Sequence, residues 1–176
     1  SFSFAVQTAS ASDIPAIDIN VQLNDDGSAR IVQEWEVNVY GKGSELYIPQ
    51  TRLGDMEIKD FSVSDNSGEN YINEGMGWDS KRSVKEKSGR GGVAKTDEGC
   101  ELCWGRGSDG KRTFRVSWTF TNLIKSYDDY DGFIVRLVND KMSPAPERVR
   151  ITLQKPGHPF VKGEVDMWAF GFKGKI

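Results

Sequence analysis

Apolar and polar side chains alternate at every second position through most of this sequence, and no segment keeps a helical period for three turns. Such a chain has to build sheets whose oily faces meet. Over residues 17–23, Ile17, Ile19, Val21 and Leu23 alternate with Asp18, Asn20 and Gln22, and Asn24-Asp25-Asp26-Gly27-Ser28 then supplies turn chemistry. Residues 30–39 return with Ile31, Trp35, Val37 and Val39 on one side, Gln33 as the one polar residue among them, and Arg30, Glu34, Glu36 and Asn38 on the other. This predicts a hairpin with one wet face.

Further strands are expected at 46–48, ended by Pro49, and at 58–64, ended by Asp65-Asn66-Ser67-Gly68. The odd spacing between Ile58 and Phe61 predicts a bulge near Lys59-Asp60. Residues 101–104 and 113–121 flank Gly107-Ser108-Asp109-Gly110 and predict a hairpin. Residues 133–138, apolar on both faces except Arg136, predict a central strand between layers, and 149–154 alternates again. A last strand, 165–172, enters a turn at Lys173-Gly174-Lys175 without a returning partner, so the domain is expected to continue past Ile176. The expected fold is all-β, a two-layer antiparallel β-sandwich, loosely immunoglobulin-like, formed by 1–176 as one domain. Between 75 and 99 the pattern fails: Lys81, Arg82, Lys85, Lys87, Arg90 and Lys95 are interspersed with Gly89, Gly91 and Gly92, predicting a long, mobile basic loop.

Composition removes several classes of function. With 176 residues and a net charge of -3 the chain has neither the size of several domains nor the charge of a nucleic-acid binder. His158 is the single histidine, so no zinc, copper or non-haem iron site can draw on a second, and it lies between Pro156 and Pro159 in a turn. There is no Gly-x-Ser-x-Gly elbow and no phosphate-loop or dinucleotide fingerprint. No run of eighteen apolar residues occurs. Ala9-Ser10-Ala11 has the form of a signal-peptidase site but no basic segment precedes it, and it reads rather as a polar terminus.

Several segments, taken in order, carry a resemblance: Asn24-Asp25-Asp26-Gly27-Ser28-Ala29-Arg30, Glu34-Trp35-Glu36-Val37, Gly43-Ser44-Glu45-Leu46-Tyr47-Ile48-Pro49, Glu101-Leu102-Cys103-Trp104-Gly105, Tyr127-Asp128-Asp129-Tyr130-Asp131-Gly132-Phe133 and Trp168-Ala169-Phe170-Gly171. Together they resemble the amino-terminal region of a bacterial predicted membrane protein family, domain of unknown function 2207. The resemblance implies an exported, extracytoplasmic, β-rich domain at the bacterial cell envelope, periplasmic or on the cell surface, held to the membrane by helices outside this sequence. It carries over no catalytic residue.

The residues offer few constellations for chemistry. Cys100 and Cys103 are three apart, and on a regular strand they point to opposite faces. Buried structural thiols are the leading reading; a disulfide needs a break in the strand, and metal or redox chemistry lacks further ligands. Asp128, Asp129 and Asp131 offer oxygen ligands that suit calcium, against the plainer reading of a solvated turn. The basic loop, with Lys81, Arg82, Lys85 and Lys87 beside Trp78, is a candidate contact surface whose joint substitution is expected to spare folding. Trp35 and Trp118 fall on core faces, whereas Trp78 and Trp168 are candidates for exposed indoles. No cofactor is expected. The function expected is non-enzymatic contact with an envelope protein or glycan, without turnover of generic ester, glycoside or peptide substrates; the alternative is a glycan-binding module using exposed aromatics.

Overall fold

The computed structural model describes residues 12–139, 142 and 144–168. The Ala9-Ser10-Ala11 segment and residues 169–172 of the expected 165–172 strand lie outside them, and the described residues 165–168 are not in a strand. Strands β1 (Ser12–Leu23) and β2 (Ala29–Val39) form the expected hairpin, closed where Asn24 N–H bonds Ser28 O at 2.9 Å and Gly27 takes a φ of 81°. Then come β3 (Glu45–Thr51), β4 (Ile58–Asp65), β5 (Ile72–Asn73), one helical turn α1 (Val84–Lys87), β6 (Arg90–Thr96), β7 (Gly99–Gly105), β8 (Gly110–Phe120), β9 (Lys125–Ser126), β10 (Asp131–Gly132) and β11 (Arg148–Gln154).

One sheet has the order β11-β1-β2-β8-β4 and the other β3-β7-β6-β5, with β9 and β10 as a separate ribbon. Ile17, Ile31, Trp35, Phe114 and Trp118 from the first sheet and Ile48, Leu102 and Trp104 from the second belong to a single buried cluster. At its centre Trp35 meets Trp104 edge-on, with ring centroids 5.2 Å apart. This is the expected sandwich. The bulge is also where the phase change places it: the β4–β8 register shifts between Lys59 and Ser62, and Asp60 has a φ of 54°.

Three expectations are corrected. The sheets are mixed, because β11 runs parallel to β1 and β5 parallel to β6. Alternation does not encode strand direction, and the long connection from β8 to β11 has the length a parallel return needs. Strands β7 and β8 are not a hairpin: they lie in different sheets and form an arch. In either arrangement Leu102 and Trp104 point inward toward Phe114 and Val116, so patterning cannot tell the two apart. Arg106 fixes the arch by donating to Gly43 O at 2.6 Å and Gly41 O at 3.2 Å while pairing with Asp109.

Residues 133–138 are not a strand. Their backbone is instead held by one buried amide from each sheet: Gln33 in β2 donates to Leu137 O at 2.8 Å, and Gln50 in β3 donates to Arg136 O at 3.0 Å. Gln33 Oε1 also accepts from the Trp35 indole at 2.8 Å. Phe133, Val135 and Leu137 pack on the core, whereas Ile134 is 94% exposed. The segment therefore joins the layers through side-chain hydrogen bonds rather than a ladder.

Candidate functional site

The two outer faces of the sandwich are built differently. Residues 75–99, expected as a long mobile loop, instead contain α1 and the whole of β6, and the part before β6 folds back over the outer face of the second sheet. The flanking strands β5 and β6 pair, and α1 opens on a capping box in which the Ser83 hydroxyl accepts from Glu86 N–H and the Glu86 carboxylate accepts from Ser83 N–H. Glu74 takes both Arg82 nitrogens, at 2.9 and 2.6 Å, and Arg90 at 3.1 Å. These guanidinium groups hold the Glu74 carboxyl below its ordinary range, Arg82 contributing most.

Beneath the cap lies a charged centre. Lys87 is 0% exposed; its ammonium reaches Glu45 Oε2 at 2.6 Å, Ser80 O at 2.6 Å and Ser44 Oγ at 2.7 Å. The Trp78 indole donates to the same Glu45 oxygen at 2.9 Å and is itself only 7% exposed. Two glycines make room. A Cβ at Gly105 would lie 2.1 Å from Lys87 O, and one at Gly92 would lie 3.2 Å from Trp78 Cε3. Cys103, paired with Gly92 across the ladder, shares this outer face and is fully buried.

The proposed contact residues therefore divide. Lys81 and Lys85 are exposed, whereas Arg82 and Lys87 are bound into the cap and Trp78 is not an exposed indole. Joint substitution including Lys87 is not expected to spare folding. A run of mixed charge reads as solvated only while its acidic partner, Glu45 in a distant strand, is unknown. Among the tryptophans Trp168 is exposed, at 75%, and Trp35 and Trp118 are in the core as expected.

Cys100 and Cys103 are free thiols, both buried. Burial pushes each thiol up from its ordinary range, and for Cys103 the Glu45 and Glu101 carboxylates add to it. Both stay protonated and poorly nucleophilic. Asp128, Asp129 and Asp131 lie exposed around the β9–β10 turn, where Tyr127 and Tyr130 stack at 4.9 Å. Among the described residues no three His, Cys, Asp or Glu side chains gather as a metal site. His158 lines an open recess of about 660 Å³ with Gln22 and Phe160, and its ring bonds Glu164, six residues on in the same loop.

A second ionic cluster ties β4 to β8. Arg112 pairs with Asp65 at 2.7 Å, and the Tyr71 hydroxyl donates to the same Asp65 oxygen at 3.0 Å. Burial alone would raise the Asp65 carboxyl, but Ser67, Tyr71 and Arg112 outweigh it and bring it below its usual range. Burial, helped by Asp65, pushes Tyr71 from 10.0 up to about 12. Asp65 therefore stabilises the fold above the ordinary carboxylate range and ceases to as pH falls through its lowered folded value. Tyr71 has the opposite sign: its contribution is complete below pH 10 and is lost as pH rises toward about 12. Denaturant midpoints measured from pH 8 to 12 should fall steeply in the native protein and more gently in Tyr71→Phe; equal slopes would contradict this assignment.

The outer face of the first sheet is open, and its register sorts side chains by length. Thr152, Asn20 and Val32 lie side by side on β11, β1 and β2. On one side of this short row stand Arg150, Asp18, Glu34 and Arg115, and on the other Gln154, Gln22 and Arg30. A short row between two long ones leaves a trough of about 480 Å³ running across the strands. Glu34 is taken by Arg115 at 2.6 Å and Asp18 by Arg148 at 3.2 Å. Arg30 bonds only neutral acceptors: Ser117 Oγ at 2.8 Å, Asp60 O at 3.2 Å and Thr119 Oγ1 at 3.4 Å. Among the described residues Arg150, Asn20, Thr152 and Gln154 have no side-chain partner. From sequence these residues read only as a wet face, because their grouping depends on which strands adjoin.

With this geometry in place, the sequence model of the predicted membrane protein (DUF2207) N-terminal domain matches residues 13–175. The chain belongs to this family. The DUF2207 domain described here contains no helix long and apolar enough to cross a membrane among its described residues. No curated protein is similar enough to count as a relative. An M1 zinc metallopeptidase from Deinococcus radiodurans bound to Tyr-Ser-Ala is similar at 11% identity and a TM-score of 0.35, over 68% of this chain and 22% of that one. Another structure of that peptidase gives 11% identity and 0.34, over 64% and 21%. The chain thus spans about a fifth of those proteins' length, and likeness at this level transfers no chemistry.

Proposed function

We propose that this DUF2207 domain is a non-enzymatic, extracytoplasmic contact domain, presenting the outer face of its five-stranded sheet to a partner or ligand. The observation that carries the reading is the contrast between its faces. On the capped side Arg82 and Lys87 are neutralised within the chain, by Glu74 and Glu45. On the open side, among the described residues, the Arg30 and Arg150 guanidinium groups have no acidic partner, Arg30 bonding neutral oxygens only, and the side chains of Asn20, Thr152 and Gln154 have no partner. The version of glycan binding that uses Trp78 loses its support, since that indole is buried against Glu45.

Two readouts test this with the full-length protein in intact cells. A membrane-impermeant amine reagent is expected to modify exposed Lys81 and Lys85 without permeabilisation; protection until the membrane is opened contradicts the assigned side. A photo-crosslinking residue at Thr152 is expected to give adducts, and one at Lys85 none. The reverse pattern contradicts the choice of face.

A further inference from the structure

The trough on the five-stranded sheet has the chemistry of a saccharide site with a negative ligand. Its floor, Thr152, Asn20 and Val32, offers methyl groups beside an amide and a hydroxyl, the mixture met by the C–H face and the hydroxyl edge of a pyranose. Gln22 and Gln154 on one wall are planar amides that can both donate and accept, as paired sugar hydroxyls require. Adjacent strands lie ~4.8 Å apart, so the path from β11 to β8 is ~14 Å long, room for about three sugar rings.

Charge selects among saccharides. Of the trough's ionic groups, Glu34 is satisfied by Arg115 and Asp18 by Arg148, which leaves Arg30 and Arg150 without a counter-charge among the described residues. They stand on opposite walls, one on β2 and one on β11, so a chain lying along the floor passes both. A guanidinium presents two parallel N–H groups that match a carboxylate. This local excess of positive charge stands on a protein whose net charge is -3, so attraction to a polyanion arises from the trough and not from the molecule as a whole.

We propose that this trough binds a short run of an acidic polysaccharide, with uronate carboxylates on Arg30 and Arg150 and ring hydroxyls on Asn20, Gln22 and Gln154. The proposal rests on the contact-domain reading and names its ligand class. It differs from a stacking site because no aromatic ring among the described residues lines the trough.

Calorimetric titration of this chain with oligogalacturonate tests it, with neutral dextran and polyglutamate as controls. Saturable binding of oligogalacturonate is expected, weakened by added salt, with at least tenfold weaker binding of either control. Arg150 is exposed and has no side-chain partner among the described residues, so Arg150→Gln is expected to leave the denaturation midpoint unchanged and weaken oligogalacturonate binding about tenfold. Asn20→Phe, which fills the floor, should abolish it. Absent binding, binding that both variants leave unchanged, or equal affinity for polyglutamate or dextran each overturns the proposal. Failure here combined with protein adducts at Thr152 would leave the contact-domain reading standing, whereas protection of Lys81 and Lys85 in intact cells would remove that reading whatever the titration gives.

Discussion

Lys87→Met is expected to destabilise the domain by about 3 kcal/mol or more, because it leaves the mostly buried Glu45 carboxylate facing the cap with no counter-charge. The lysine cannot simply withdraw to solvent: its backbone N–H bonds Ser83 O, and its ammonium is enclosed by Ser44, Ser80 and Glu45. Glu45→Gln should be as damaging, since a buried ammonium is then left with neutral acceptors only. The double variant separates the pair from its surroundings. If the two charges are needed mainly to neutralise each other, Lys87→Met with Glu45→Gln falls short of the summed single effects by about 1–3 kcal/mol in chemical denaturation. Additive losses would mean that Lys87 and Glu45 are not energetically coupled.

The second large effect comes from a glycine. Gly105 has ordinary backbone angles, so alanine there carries no conformational penalty; its Cβ, however, would lie 2.1 Å from Lys87 O and 2.5 Å from Lys87 C. Backbone cannot yield as a flexible side chain does, so Gly105→Ala must lift the cap from β7. The expected cost is about 3 kcal/mol, at the upper end for overpacking, together with exposure of Trp78. Gly54→Ala is a poor control because its φ is 58°. Gly77→Ala is better, with only Glu74 O within reach at 3.7 Å, and should cost far less. A red shift of tryptophan emission in Gly105→Ala, absent from Gly77→Ala, is the accompanying readout. Equal stability of the two variants would contradict the packing described for the cap.

Alternation carried most of the sandwich. The β1–β2 hairpin, β4 with its bulge, β8 and the core roles of Trp35 and Trp118 follow from side chains switching faces, since burial on one side sets the register. What it left out depends on partners distant in the chain. Leu102 and Trp104 turn inward whether β7 and β8 form a hairpin or an arch, and Val149 and Leu153 pack on the core whether β11 runs parallel or antiparallel. The 133–138 segment reads as a strand because its apolar residues suit one, yet the Arg136 and Leu137 carbonyls accept from Gln50 and Gln33, whose amides no local pattern connects to it. The basic stretch failed for a related reason. Lysine and glycine at 81–92 are what a mobile loop and a tightly docked cap have in common; only the closeness of Glu45 to Lys87, and of Gly105 to the cap backbone, separates them. The trough was hidden likewise, as the short row appears only when β11, β1 and β2 are set side by side.

The central claim is that one face of this sandwich is roofed and the other open, and thiol accessibility reads both at once. In Asn20→Cys, a small maleimide followed by peptide mass analysis is expected to modify position 20 at the rate of a free thiol, while Cys100 and Cys103 react only as fast as the domain unfolds. Modification of Cys103 in the native protein as rapid as that at position 20 would mean that nothing covers the second sheet, and the distinction between the two faces would be lost.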